Sequence, residues 1–322
     1  MQKRISAFNF GICLVLCLAT LICGLCFLGK GTFVSAEAEN SFSYKSQLSN
    51  KEILFYNTLN QNTAKLYDGK SAINLLDENV LTSADVAAFE NGSSDILKTF
   101  AAGRDAFMLE HPEVFYVDFD KLSLNLAKDK DGNFIAELGT GRYDNYYLTQ
   151  DLTAEKVQTM VKELNSRILA ITTQINSEIP ADATPQEKQY LQIVKTLELI
   201  RNDSMNKSEY FIEYNFCSSQ EDALYAPYIR TAYSLVTQKA VCEGLSKSFK
   251  VIMDKFEIPC IEVIGYWADY NTETQTTTNE PHSWNMVYLA NNWYFVDPTD
   301  YISLNIAYPL KGVNNMKAYF VN

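Results

Sequence analysis

The stretch AVCEGLSKSFKVIMDKFEIPC, residues 240–260, sets the tightest constraint on what this chain can fold into. Leu245, Phe249, Ile252, Met253 and Phe256 recur at spacings of three and four, so a helix begins at once after Val241. Cys242 falls in its first turn or just before it. Unpaired N–H groups and the positive end of the helix dipole meet there, and both favour a thiolate over a thiol. Strand-like runs follow at Cys260 to Trp267, Ser283 to Leu289, and Trp293 to Asp297. A helix followed by strands makes this part α+β.

The N-terminus reads as an export signal. MQKR is a positive start, Ile12 to Leu28 is apolar, and Val34-Ser35-Ala36 forms a small-residue cleavage site. The expectation is removal of residues 1–36 and a secreted or cell-envelope location, with an uncleaved anchor as the alternative. Removal takes away three positive charges and no acid, moving the net charge from −12 to −15. That balance argues against nucleic acid and anionic membrane surfaces as partners, so any membrane contact is expected only through the signal itself. Of the 7 cysteines, Cys13, Cys17, Cys23 and Cys26 leave with the signal. Cys217, Cys242 and Cys260 remain, an odd number for an oxidising compartment, so one stays a free thiol. Whether Cys217 pairs with Cys260 stays open.

The rest divides into a polar spacer (37–50), an N-terminal α+β unit (51–150), a helical connection (151–189) and a second unit (190–322). Helices are expected from about Lys51 to Leu66 and Asp95 to Leu109, then strands at 115–119 and along LSLNLA and NFIAEL, with a turn at 128–132. Two further helices follow. One runs from about Ala154 to Ile179, and the other starts at Thr184, with Pro185 in its first turn and Glu187 closing a capping box. A short helix is expected over Ala232 to Val236, and NTETQTTTNE (271–280) reads as a polar loop, a candidate flap. The chain stops in the apolar run AYFVN, which reads as the end of a partial sequence.

The chain has 2 histidines, which narrows the search for a base. His111, at a helix end before Pro112, reads as structural. His282 lies where the polar loop turns into a strand, a position that holds an imidazole well and leaves it reachable. Asp297 ends the strand NNWYFV, where it could accept the imidazole N–H and fix its tautomer. Strand register is the difficulty. A turn at Asn291-Asn292 puts Met286 opposite Asp297 and leaves His282 about 13 Å away, so a bulge or strong twist is required. A metal site from Cys242, His282, Asp297 and Cys260 is a further reading, unsupported by any paired spacing.

The order Cys, His, Asp, carried by AVCEGLSKSFKVIMDKFEIPC, HSWNMVYL and NWYFVDPTD, resembles the transglutaminase-like superfamily of papain-type thiol enzymes. Its bacterial members show a VC-x-G-[YF]-[AS] helix start, a strand reading HAWN and a strand reading WY-x-VDPT. This chain has Leu245 for the usual aromatic, Ser283 for the usual alanine, and no tryptophan before Asp300. The resemblance covers about residues 190–305. HPEVFYVD is similar to a region often attached to such domains in secreted Gram-positive proteins.

The resemblance implies a papain-like core with Cys242 as nucleophile, His282 as base and Asp297 as orienting acid, and no cofactor. It also implies amide attack through a thioester that passes to water or to an amine. The partners would be protein or peptide substrates, cell-wall peptides among them. The oxyanion would be held by the Cys242 N–H and a second donor, for which Gln238 is the candidate. Trp284 is expected in the core or as a wall of the substrate cleft, and Gly244 as the residue that permits close packing at the helix start. The alternative is a non-catalytic binding or adhesin module on the same fold.

Overall fold

In the computed structural model the described residues are 43–205, 227–271, 276–303 and 310–312. The expected export signal (1–36), Cys217 and the C-terminal end lie outside them.

The N-terminal part is built from α1 (Asn50–Gln61), α2 (Ser83–Glu90) and α3 (Asp95–Glu110) against a small antiparallel sheet. That sheet comprises β1 (Ile73–Asn74), β2 (Ser123–Lys128) and β3 (Phe134–Gly139), in the order β1-β3-β2. Residues 115–119, expected as a strand, are instead a buried succession of turns with one isolated bridge pair, Val117 to Tyr147, flanked by hydrogen bonds from Asp118 N–H to Tyr146 O at 2.9 Å and from Leu148 N–H to Tyr116 O at 2.8 Å. Val114 to Val117 and Phe119 are buried. An unbroken apolar run buries as well in a turn as in a strand, and it has no period of two to demand a ladder.

Next come α4 (Ala154–Ser177) and α5 (Pro185–Met205). The start of α5 has the expected capping box: Thr184 N–H donates to Glu187 Oε2 at 2.8 Å, and Glu187 N–H to Thr184 Oγ1 at 3.3 Å. The short α6 (Ser234–Thr237) leads into α7 (Cys242–Lys255). Helix α7 packs on the large sheet and also against α4, α5 and α6, so residues on several of its sides are buried, Lys250 among them.

The large sheet is antiparallel, in the order β4-β5-β6-β7. Its strands are β4 (Cys260–Asn271), β5 (Thr276–Leu289), β6 (Asn292–Val296) and β7 (Lys311–Gly312), with α8 (Pro298–Ser303) between β6 and β7. The segment 271–280 is mostly strand rather than loop. Pairing between β4 and β5 continues out to Asn271 and Thr276, and only 272–275 fall outside the described residues.

The β5–β6 turn also differs from the sequence expectation. Leu289 pairs with Asn292, and the two turn residues are Ala290 (φ 49°) and Asn291 (φ 62°). Positive φ at both central positions is the geometry that suits strand twist in a two-residue hairpin. Ala290 accepts an αL cost of about 1 kcal/mol there, and the Asn292 side chain closes the turn by donating to Ala290 O at 3.0 Å.

A continuous buried cluster runs from Phe55 through Phe107, Tyr116, Ile171 and Phe249 to Tyr301. Trp284 and Phe295 form a second, smaller cluster on the other face of the large sheet.

Candidate active site

Helix α7 presents Cys242 at its first position, half-buried and as a free thiol. Its N-cap residue is Val241, and no side chain caps the helix among the described residues. Burying Leu245, Phe249, Ile252 and Met253 contributes roughly 1.5–3 kcal/mol each, well above the roughly 1 kcal/mol that a missing cap forgoes. Packing therefore fixes this helix, and the N–H groups of its first turn are left for a ligand oxygen. Gly244 makes the start possible: a Cβ there would lie 2.1 Å from the Ile229 carbonyl oxygen. That same carbonyl accepts the Val241 N–H at 2.9 Å.

His282 and Asp297 meet directly, with His282 Nε2 2.7 Å from Asp297 Oδ2. The earlier turn explains how. With Asn285 paired to Val296, the pairing extrapolates to Trp284 opposite Asp297, and His282 becomes the diagonal neighbour about 7 Å away rather than 13. A long side chain spans that gap without any bulge. The other oxygen of Asp297, Oδ1, accepts the N–H groups of Thr299 at 2.9 Å and Asp300 at 3.3 Å, capping α8. The sequence signal for this cap was present in Asp297-Pro298, a favoured cap residue followed by proline in the first turn.

With Nε2 committed to Asp297, Nδ1 is the ring nitrogen that faces the thiol. Burial on its own would lower the proton affinity of His282. Hydrogen bonds to Asp297 and Cys242, and their charges, outweigh it and raise the imidazole to about 10. The ring is therefore cationic across the neutral range, and the buried Asp297 carboxylate balances it.

Trp284 stacks on the imidazole, with ring centroids 6.0 Å apart and planes 25° apart, and backs onto Phe295. Trp284 is thus packing for the histidine. Gly265, paired with His282, leaves room for it: a Cβ would meet Trp284 Cη2 at 2.6 Å. Gly265→Ala is expected to push the indole onto His282. The alkylation rate at Cys242 should then fall while stability drops by only about 1–3 kcal/mol. Rate measurements beside a urea titration check this.

Gln238 caps the short α6 with φ 57°, and its backbone N–H is spent on Ser234 O at 2.7 Å. Its side chain is half-buried four residues before Cys242. Cys260 does not join the site. It pairs with Val287 while His282 pairs with Gly265, a separation of five residues, about 17 Å along the strand. Its thiol is free and buried. That removes the four-ligand metal reading. His111 is structural, as expected: it ends α3, stacks on Phe107, and bonds Glu113 and Tyr56 at 2.8 and 2.9 Å.

A residue that sequence reasoning missed is Asn285. Fully buried, it donates Nδ2 to the Ser246 carbonyl at 3.1 Å, tying α7 to the strand of His282. Beside the helix start, a cavity of about 260 Å³ is walled by Arg104, Asp118 and Phe119 from the N-terminal part and by Arg230, Glu243 and Lys247.

Residues 203–298 match the model of the transglutaminase-like superfamily. Human and mouse Kyphoscoliosis peptidase are each 33% identical over 90 residues, 27% of this chain. The matched part spans only 13% of those relatives' length. Among solved structures, the periplasmic domain of TgpA from Pseudomonas aeruginosa bound to ethylmercury has 16% identity and a TM-score of 0.30, over 54% of this chain and 58% of that one. A structure described as a TGase has 17% identity and a TM-score of 0.31, over 63% and 50%. The likeness to the transglutaminase-like superfamily, whose members are generally cysteine enzymes, thus rests on residues 203–298. The fold is α+β, with the cysteine helix packed on an antiparallel sheet.

Proposed function

We propose that this protein is a secreted thiol acyl-transfer enzyme that attacks amides of protein or cell-wall peptides through Cys242. The observation carrying this reading is the contact series itself: a cysteine at an uncapped helix start, a histidine bonded to it, and a buried carboxylate 2.7 Å from the far side of the ring. In this scheme the Cys242 thiolate adds to the amide carbonyl, and the oxyanion takes the first-turn N–H groups of α7. His282 gives its proton to the leaving amine, and a thioester remains. Water or a second amine then displaces the sulfur, with His282 taking the incoming proton. The cavity beside Glu243 gives the N-terminal part a place in holding substrate, and the apolar leader supports export.

Iodoacetamide titration of the purified protein from about pH 4 to 9, with adducts located by peptide mapping, tests the reading. Selective alkylation of Cys242 that persists well below the ordinary thiol value of about 8.5 and disappears in His282→Ala is the expected result. Glutamine-bearing and wall-derived peptides, offered with and without a primary amine, then separate transfer from hydrolysis. Alkylation that follows an ordinary thiol and ignores His282 would overturn the enzyme and leave a binding module.

A further inference from the structure

Beneath the site, on the face of the sheet that meets α7, lies a buried polar cluster that the chemistry above does not use. Glu262 on β4 is 0% exposed, and Ser283 and Asn285 on β5 are 2% and 0% exposed. Ser283 Oγ donates to Glu262 Oε1 at 2.8 Å. Two acceptors are left over. Glu262 Oε2 and Asn285 Oδ1 are both buried, and neither has a hydrogen-bond partner among the described residues. Glu262 and Asn285 are direct cross-strand partners, so their Cβ atoms stand about 5 Å apart. Asn285 has already turned Nδ2 to Ser246 O, so its Oδ1 points away from that bond.

Two orphaned acceptors on facing side chains are costly when both lack a hydrogen, and one proton shared between them satisfies both. We infer that Glu262 is held as the neutral acid and donates its Oε2 hydroxyl to Asn285 Oδ1. This completes a chain from Ser283 through Glu262 and Asn285 to the Ser246 carbonyl. The chain locks the helix of Cys242 to the strand of His282, since Ser246 lies one turn below Cys242 and Ser283 follows His282. Ser283, where the superfamily pattern has alanine, supplies the chain's first hydroxyl.

The surroundings agree. Burial is the largest influence on Glu262 and raises its carboxyl to about 7; Lys247, Ser283 and Lys250 oppose it, and Glu243 adds to it. Lys247 itself is held by Glu243 at 2.6 Å and Lys250 by Asp254 at 2.9 Å, so neither is spent on Glu262 alone. The remaining titratable neighbours are Tyr44, whose hydroxyl bonds the Glu262 carbonyl oxygen, and the Cys260 thiol. Glu262 is thus a positioning residue for the proposed reaction. The inference rests on that reading for its catalytic meaning but not for its structure.

The sign follows from linkage. Between about 4.5 and 7 the folded chain keeps this proton and the unfolded chain has lost it, so stability falls with rising pH across that window and levels off above it. Glu262→Gln places an amide donor where the acid hydroxyl was and removes the titration. Thermal melts of the full chain at pH 5 and pH 8 should show the wild type losing about 5 °C more than Glu262→Gln over this interval. Glu262→Ala should slow Cys242 alkylation and Glu262→Gln should restore it. Parallel pH dependence in wild type and Glu262→Gln, or a glutamine variant as slow as alanine, overturns the inference. If the melting difference appears while Cys242 proves an ordinary thiol, the proton chain stands and only the catalytic reading falls.

Discussion

Asp297→Asn should lower turnover by about 10²-fold or more and move the alkaline limb of activity to lower pH, with the fold retained. Asparagine caps helices as well as aspartate does, so α8 keeps its start. The cap also dictates which way the amide faces. Oδ1 must stay on the Thr299 and Asp300 N–H groups, which turns the NH₂ toward His282 Nε2. Nε2 then has to accept, the ring proton moves to Nδ1, and the nitrogen facing Cys242 can no longer take the thiol proton. In the wild type the imidazole is cationic until about pH 10, and activity that needs the imidazolium is lost as pH rises through that value. Without the carboxylate the ring loses its proton sooner, so the limb shifts down. A pH–rate profile in the variant that matches the wild type in both height and position would remove Asp297 from the mechanism.

Gly244→Ala is expected to be the most damaging small substitution in the helix, costing about 3 kcal/mol or more in urea unfolding. Intrinsic helix propensity alone predicts the reverse, a gain of about 1 kcal/mol. The clash decides the sign. The added Cβ would sit 2.1 Å from Ile229 O and 3.0 Å from Ser234 Oγ. Ile229 O cannot retreat without giving up Val241 N–H, the bond that aims the chain into α7. A variant within about 0.5 kcal/mol of wild type would mean that the helix start can shift freely, and the site would then lack the rigidity its chemistry requires.

How far the sequence reached, and where it stopped, can be read from neighbouring elements. Helix α7 was legible because its apolar spacing is unbroken, and its observed start is at Cys242 itself. The three candidate site residues are each legible in the sequence, yet the route by which two of them meet is not. Placing the β5–β6 turn at Ala290-Asn291 rather than Asn291-Asn292 changes each cross-strand pair by two positions and leaves every side chain on the same face. Hydrophobic pattern cannot separate such registers. Here the choice coincides with the Asn292 bond across the turn and the His282–Asp297 contact, neither of which is encoded in any local run. The helix after Asp297 was overlooked for a different reason: at six residues it is too short for periodicity to register, and only its cap signals it. Asn285, Ser283 and Glu262 were invisible as a group because their meeting depends on the pairing of β4 with β5, a tertiary fact.

Pro281 sits in β5 immediately before His282, opposite Tyr266. It contributes no N–H to the ladder. Strand β6 begins to pair only at Asn285, so here β5 is free on that side. Mechanically, this divides the long hairpin into two bodies. Below the joint β5 stays paired with β4, and from Asn285 onward it also has β6 on its other side, with α7 packed beneath. Beyond the joint, five residue pairs of β4 and β5 continue as a two-stranded arm. The imidazole is mounted on the first residue after the proline, where the ladder to β4 is β5's backbone support and the Asp297 side chain reaches in from the end of β6.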